Sequence, residues 1–145
     1  MQKTNNIGYV GEHVASDFLT KHGYSIMNTN WRAGHLEIDI IAKKDKFIVF
    51  VEVKTRSGTY FQQPFQAVNK RKQQFIIKAA NVYIEKFEID LEARFDIISI
   101  VKTNAVYEIE HIEDAFYPRV WPNRNILQLS LITPTMMQDS YLKLG

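Results

Sequence analysis

The 145-residue sequence contains no cysteine, which excludes disulfide bonds, zinc-thiolate sites and thiol nucleophiles. No apolar run approaches the length of a membrane span, and the first residues lack the apolar core of a signal peptide, so we expect a cytoplasmic protein without membrane association. The histidines do not fall at metal-ligand spacing, and the chain has no glycine-rich phosphate loop or nucleophile elbow. A formal net charge of +2 is too small to indicate an anionic partner by itself.

Two apolar, β-branched runs joined by a short polar turn predict a β-hairpin. The first run covers residues 36–42 and the second covers residues 47–56. Asp39 interrupts the first run, and Glu52 and Lys54 interrupt the second. Burial of charge is unfavourable unless the charge is paired or bound to a metal, so these three residues require an explanation.

Side-chain alternation along the strands places the charges on one face of the hairpin. A turn centred on residues 45–46 sets Asp39 opposite Glu52 and, by the same register, Glu37 opposite Lys54. Carboxylates with Cβ atoms roughly 5 Å apart repel one another. A hard divalent cation such as Mg²⁺ would remove that repulsion. The alternative is a solvated cluster of salt bridges on an exposed sheet face, since surface ion pairs are common and weak.

Helical periodicity precedes the hairpin and predicts a first helix over residues 5–22, ended by Gly23. Glu12 lies at the edge of its apolar stripe, among small residues that would let another element approach closely. The side chain of Glu12 either reaches a site beside the core or is solvated. Residues 24–30 are expected to form a short strand or an extended link.

A second helix is predicted over residues 65–86, opened by Pro64. Lys72 falls within its apolar stripe and either extends to solvent or meets a phosphate or an acidic ligand. From residue 54 to residue 78 the chain has six basic residues and no acidic one. Such a segment suits a phosphate backbone, and it equally suits a solvated helix.

The remainder of the chain predicts two paired strands, at residues 94–101 and 105–112, with His111 as a structural residue. We interpret residues 1–118 as one domain with a sizeable core. Residues 119–145 differ in character and form a C-terminal extension of unknown role, with an additional strand predicted at residues 126–131.

The order of a helix, a hairpin with Asp39-x12-Glu52-x-Lys54 and a second helix resembles the PD-(D/E)XK nuclease core. Further motifs surround it: Gly8-x-x-Gly11-Glu12-x-x-Ala15, Asn30-Trp31-Arg32, Glu37-Ile38-Asp39, Ala67-Val68-Asn69-x-x-Lys72-Gln73 and Arg94-Phe95-Asp96. Together they resemble the YraN-type family of bacterial proteins, whose function is unsettled and which is similar to archaeal Holliday-junction resolvases. The resemblance covers about residues 4–118.

This resemblance implies an α/β fold of the restriction-endonuclease-like type, with a central mixed sheet that contains the hairpin and with helices on both faces. It implies that Asp39, Glu52 and Glu12 bind Mg²⁺ or Mn²⁺, and that Lys54 orients or polarises the attacking water. We expect DNA contacts from basic and polar residues near these positions, namely Arg32, Arg56, Asn69, Lys70, Arg71, Lys72 and Gln73. The family often has glycine where this chain has Leu36, and it often has another glycine in the loop near Gln62.

The leading functional hypothesis is a metal-dependent endonuclease that hydrolyses DNA phosphodiester bonds. The sequence has no recognition-helix or zinc-finger module, so selection of branched or single-stranded DNA is expected rather than recognition of sequence. A homodimer would suit a two-stranded substrate. One alternative is a nucleic-acid-binding module without cleavage activity, acting in DNA repair or uptake. Another is a scaffold domain without any role in nucleic-acid binding.

Overall fold

Five strands and two helices make up the part of the chain that the computed structural model describes, which is residues 5–58 and 68–118, with side chains from residue 8. The elements are α1 (Asn5–Lys21), β1 (Ser25–Ala33), β2 (Leu36–Lys44), β3 (Phe47–Ser57), α2 (Lys70–Lys86), β4 (Glu92–Thr103) and β5 (Val106–Phe116). None of the helices described is both long enough and apolar enough to cross a membrane.

The strands form one mixed sheet in chain order, β1-β2-β3-β4-β5. Every neighbouring pair is antiparallel except β3 and β4, which are parallel and are connected by the segment that contains α2. A parallel pair needs a long crossover connection, and a helix is its usual form. The predicted α/β class and the mixed sheet are therefore confirmed.

The helices cover opposite faces of this sheet. Ala15 and Leu19 of α1 pack in one buried cluster, and Ile76 and Tyr83 of α2 pack in another. Residues 48–51 of β3 are buried throughout, because a central strand covered on both faces loses the polar alternation of a half-exposed strand. The expectation of helices on both faces is confirmed.

The first helix ends close to its predicted limit. Gly23 has a φ of 84°, a left-handed conformation that glycine adopts without steric cost. The amide of Tyr24 donates to the carbonyl of Leu19 at 3.0 Å, which satisfies one of the last carbonyl groups of the helix. The buried side of α1 is centred on Gly11, Ala15 and Leu19, and Val10 is exposed.

The second helix begins at Lys70, and the predicted start at residue 65 is wrong. Asn69 is the N-cap residue, and its side chain accepts a hydrogen bond from the Lys72 amide at 2.9 Å. Asparagine at this position satisfies an amide that has no partner within the helix, so it sets the first turn. Val68 and Asn69 are not helical, while Pro64 and residues 65–67 lie outside the described residues.

The other strands are longer than predicted. β4 extends beyond residues 94–101 at both ends, whereas β5 begins at Val106 and continues past residue 112 to Phe116. The two strands meet at a turn in which Asn104 has a φ of 52°. Asparagine tolerates this left-handed conformation better than most residues. β1 continues to Ala33, three residues past the predicted strand. The strand predicted at residues 126–131 lies outside the described residues.

A buried polar network joins β4 and β5 on the α1 side of the sheet. Asp96 is completely buried, and its carboxylate accepts hydrogen bonds from Arg94 Nε at 2.9 Å and from the Asp114 amide at 3.0 Å. His111 Nε2 lies 2.8 Å from Oδ2 of the same carboxylate, in agreement with a structural role. Arg94 also donates to the Tyr24 hydroxyl at 2.6 Å, which ties the start of β1 to this network.

Candidate active site

The hairpin of β2 and β3 has the register that the sequence predicts. Ile40 lies opposite Val51 and Lys44 lies opposite Phe47, so the turn is centred on residues 45–46. The pairing of the two strands ends at Ile40 and Val51. Beyond that point β2 continues along β1 and β3 continues along β4, so the hairpin opens.

Asp39 lies where the hairpin opens. Its carboxylate accepts a hydrogen bond from the Val53 amide at 2.8 Å, in place of a further backbone contact between the strands. Ile40 packs in the α1-side cluster and Ile38 in the α2-side cluster, although residues two apart on a regular strand share a face. The strand therefore changes face at Asp39, and the carboxylate becomes accessible to residues of both helices.

Glu52 of β3 is 4% exposed and lies between two lysines. The Nζ atoms of Lys54 and Lys72 each lie 3.7 Å from Glu52 Oε1. Among the described residues, none forms a hydrogen bond with Glu52 Oε2, which is buried. A buried oxygen without a donor is unfavourable, so half of this carboxylate lacks the contacts that would stabilise its charge.

The carboxyl groups of Asp39 and Glu52 are strongly coupled. Burial and the charge of Asp39 raise the pKa of Glu52 to about 7, although Lys72 and Lys54 oppose the change. Burial also raises the pKa of Asp39, against the opposing effect of the Val53 amide. The two groups therefore resist carrying two negative charges together, and a protonated Glu52 can donate a hydrogen bond to Asp39.

Glu12 approaches this pair from α1. Burial raises the pKa of Glu12, the Asn30 side chain lowers it through a hydrogen bond, and the charges of Asp39 and Glu37 raise it further. Glu12 therefore lies within the electrostatic field of Asp39, whereas the sequence left its side chain open between a site beside the core and solvent. Glu37 itself is 3.3 Å from Arg32 on β1, and the predicted position opposite Lys54 is not formed, because β2 and β3 have separated there.

The described residues fit a small cation site rather than a complete protein cage. Within residues 5–58 and 68–118, no group of three or more histidine, aspartate or glutamate side chains is arranged to hold a metal ion. Mg²⁺ is usually held by one or two carboxylates together with waters and substrate phosphates. Asp39 and Glu52 match that requirement, and Glu52 Oε2 is a buried oxygen that a cation would satisfy.

The residues predicted to contact DNA fall into two groups. In the first group, Lys72 meets the predicted catalytic Lys54 at Glu52, Arg32 is exposed on β1, and Arg56 is partly buried further along β3. These positive charges come from β1, β3 and α2.

The second group lies at the start of α2. Lys70 and Arg71 are exposed, and the Arg71 guanidinium lies 5.5 Å from the centre of the Phe75 ring. Asn69 caps the helix, and Gln73 Nε2 donates to the Val68 carbonyl at 3.0 Å. Asn69 and Gln73 therefore have structural hydrogen bonds that position the basic residues beside them.

The small residues of α1 let another element approach closely, as the sequence predicts, because Gly11 packs directly against Thr55 of β3. One other contributor to the site was not predicted. Asn30, at a φ of 50°, hydrogen-bonds to Glu12, and its position before Trp31 gives no signal of that role. Outside the site, the contacts of Asp96 with His111 and the Asp114 amide were not predicted, because these groups meet only in the folded sheet.

Substitution of Gly11 by alanine is expected to lower the free energy of unfolding by about 1–3 kcal/mol. The added Cβ would clash with the side chain of Thr55, which is β-branched and has few alternative rotamers. Gly8→Ala is the matched control on the same helix, because no described atom lies within 4 Å of its added Cβ. Gly8→Ala should be neutral or stabilising, by up to about 1 kcal/mol. Equal stability of the two variants in urea unfolding would contradict the close packing of α1 on β3.

Taken together, the described residues form an α/β protein whose mixed sheet and carboxylate-lysine site are compatible with a nuclease-like core. The sequence profile described as "Uncharacterised protein family UPF0102" matches residues 11–100. The chain belongs to this family, which confirms the resemblance to YraN-type proteins. The family description itself assigns no activity.

Relatives from several bacteria cover most of the chain. A UPF0102 protein of Bacteroides thetaiotaomicron is 47% identical over 118 residues, which is 81% of this chain and 98% of the relative. A UPF0102 protein of Flavobacterium psychrophilum is 48% identical over 117 residues, which is 81% of this chain and 98% of the relative. A third, from Phocaeicola vulgatus, is 43% identical over 121 residues, which is 83% of this chain and all of the relative.

Proposed function

We propose that the chain is a metal-dependent endonuclease that hydrolyses DNA phosphodiester bonds and selects branched or single-stranded DNA rather than a sequence. The observation that carries this proposal is the buried Glu52 Oε2, which lacks a donor and belongs to a carboxylate coupled to Asp39. Two lysines lie beside the same carboxylate. Carboxylates that favour a cation, next to ammonium groups that favour a phosphate, suit phosphodiester hydrolysis.

Each residue of the site has a role in this proposal. Asp39 and Glu52 hold Mg²⁺ or Mn²⁺, with Glu12 as a further carboxylate on the α1 side. A cation bound there would activate water and stabilise the negative charge that develops on the phosphate. Lys54 orients the attacking water and offsets charge on the phosphate. Its side chain is 36% exposed, so its ammonium group is accessible to a substrate.

Lys72 of α2 contacts the same phosphate. Its side chain is 39% exposed, and it extends from the first turn of α2, beside Lys70 and Arg71. These exposed basic residues contact neighbouring phosphates, which positions the strand without reading its sequence. These contacts therefore predict DNA binding that does not depend on the base sequence.

Cleavage of branched, single-stranded and duplex DNA, measured with Mg²⁺ or Mn²⁺ and with a chelator, tests the proposed function. The wild-type chain should cut at least one substrate only when the cation is present, and Asp39→Ala should not. Lys72→Ala should slow cleavage, whereas Lys86→Ala, at an exposed lysine in the last turn of α2, should not. Absence of cation-dependent cleavage on every substrate, or undiminished cleavage by Asp39→Ala, would contradict the proposal.

A nucleic-acid-binding module without cleavage is the second candidate. It is favoured by the two ion pairs of Glu52, which already offset part of the carboxylate charge, and by the lack of a three-ligand metal group among the described residues. This candidate predicts salt-dependent DNA binding that neither divalent cations nor Glu52→Ala alters. Cation-dependent cleavage would exclude it.

A further inference from the structure

An exposed aromatic pair lies on α1 outside the core. Tyr9 is 60% exposed, and its ring meets the ring of His13 edge to face, with centroids 4.7 Å apart. His13 is also exposed. The buried side of this helix is formed by Gly11, Ala15 and Leu19, so packing of the core does not account for the pair.

This pair lies beside the candidate active site. Tyr9 precedes Glu12 by three residues, and Cβ atoms at that spacing on a helix are about 5–6 Å apart. Glu12 in turn interacts with Asp39. Gly11 contacts Thr55, so α1 packs against β3, the strand that also carries Glu52 and Lys54. The aromatic rings therefore border the acidic residues on the outer side of α1.

The chemistry of the surroundings indicates what would cover these rings. The ligand must present a flat, uncharged surface next to carboxylates and must also be joined to a phosphate that the lysines can contact. A nucleobase has both properties, and stacking on aromatic side chains is a common way for proteins to bind unpaired bases. Bases within a duplex are stacked on each other and do not offer a free face.

We propose that Tyr9 and His13 form a stacking platform for an unpaired nucleobase of a DNA strand whose phosphate lies at Lys54 and Lys72. The position of that phosphate rests on the proposed function. Tyr9 provides the ring face, and His13 holds the orientation of that ring through the edge-to-face contact. The platform provides selection for unpaired DNA that charge contacts alone do not give, because phosphates are present in every DNA structure.

Binding measured without divalent cations tests the platform independently of cleavage. The probe is an oligodeoxythymidine strand with one 2-aminopurine, used alone and paired with its complement, and the protein is the full chain. Wild type should quench the 2-aminopurine of the single strand. Tyr9→Ala should remove that quenching and lower the ratio of single-strand to duplex affinity about tenfold, whereas Tyr9→Phe should retain the quenching because the ring face remains.

Phe87→Ala is the matched control, because Phe87 is 47% exposed and lies at the C-terminal end of α2, away from the site. It should leave both measurements unchanged. The platform would be overturned if Tyr9→Ala changed neither the quenching nor the affinity ratio. It would also be overturned if Tyr9→Ala weakened binding to single-stranded and duplex DNA equally. Self-association that Tyr9→Ala abolishes, without any effect on quenching, would instead make the pair an interface between copies of this chain.

The two proposals fail in different ways. A chain that shows quenching dependent on Tyr9 but never cuts DNA loses the proposed cleavage and keeps the platform. If the chain cuts DNA and prefers unpaired strands, and Tyr9→Ala does not alter that preference, the platform is wrong and the proposed cleavage stands.

Discussion

Replacement of Glu52 by glutamine is expected to reduce cation-dependent DNA cleavage by about a hundredfold or more, because the loss of a charged ligand weakens a contribution of several kcal/mol to the transition state. In the absence of divalent cations the same variant should be more stable than wild type at pH 8. Both effects follow from one feature, a buried carboxylate beside Asp39 with an unsatisfied oxygen.

The stability effect has a defined dependence on pH. Burial and the charge of Asp39 raise the pKa of Glu52 from 4.5 in the unfolded chain to about 7 in the folded chain. Its contribution to the free energy of unfolding is therefore most favourable below pH 4.5 and is lost as the pH rises to about 7. At one pKa unit per about 1.4 kcal/mol, ionisation of Glu52 costs the cation-free protein about 3 kcal/mol at pH 8.

Urea unfolding with a chelator at pH 5 and pH 8 measures this effect. Glu52→Gln should gain stability relative to wild type as the pH rises, because its side chain stays neutral and its amide can donate to Asp39. Glu110→Gln, at an exposed position on β5, is the control and should show no such gain. Wild type and Glu52→Gln with the same pH dependence would contradict the coupling of Glu52 to Asp39.

Substitution of Asp96 by asparagine is expected to lower the free energy of unfolding by about 3–5 kcal/mol, because it leaves the Arg94 guanidinium without its buried partner. The Asp96 carboxylate is completely buried and lies 2.8 Å from Arg94, whose side chain is 11% exposed. Losses of this size exceed those of most single substitutions.

The stability that the Asp96 network contributes depends on pH with the opposite sign to that of Glu52. Burial acts to raise the pKa of Asp96, but His111, Arg94 and the Asp114 amide together hold it below the ordinary value of 3.8. The network therefore contributes its full stability above pH 3.8, and that contribution is lost as the pH falls through the lower pKa of the folded chain. Asp96→Asn should remove this acid-dependent loss.

Glu92→Gln is the matched control on β4. Glu92 lies 3.4 Å from Lys46 in an ion pair that is exposed, so its removal should change stability by less than about 1 kcal/mol. The comparison separates the effect of burial from the effect of charge on the same strand. An Asp96→Asn variant as stable as Glu92→Gln would show that the buried network does not stabilise the sheet.

The hairpin could be predicted from the sequence because its determinants are local. Strand alternation and a two-residue turn at residues 45–46 are enough to set Ile40 opposite Val51, as found. The opening of the hairpin beyond that pair could not be predicted, because it depends on β1 and β4 pairing with the separated strands. The predicted pairing of Glu37 with Lys54 was wrong for that reason.

The contacts within the candidate site also depend on tertiary packing that local patterns do not predict. Lys72 lies in the apolar stripe of α2, and the pattern left its environment open between solvent and a ligand. Its contact with Glu52 depends on how α2 packs against the sheet. The predicted start of α2 was wrong because Pro64 indicated an earlier start than Asn69, whose side chain caps the first turn. Local patterns therefore indicated which residues could take part in a site, and tertiary packing determined which of these residues are in contact.

Calorimetric titration of the full chain with Mn²⁺ at pH 6 and pH 8 tests most directly whether Asp39 and Glu52 form a cation site. Wild type should bind Mn²⁺ more tightly at pH 8 than at pH 6, because the affinity falls about tenfold for each pH unit below the pKa of Glu52, which is about 7. At pH 6 the protein should release about one proton for each cation that it binds. Glu52→Gln should bind far more weakly and release no such proton. Absence of binding at both pH values, or equal binding by wild type and Glu52→Gln, would contradict the account.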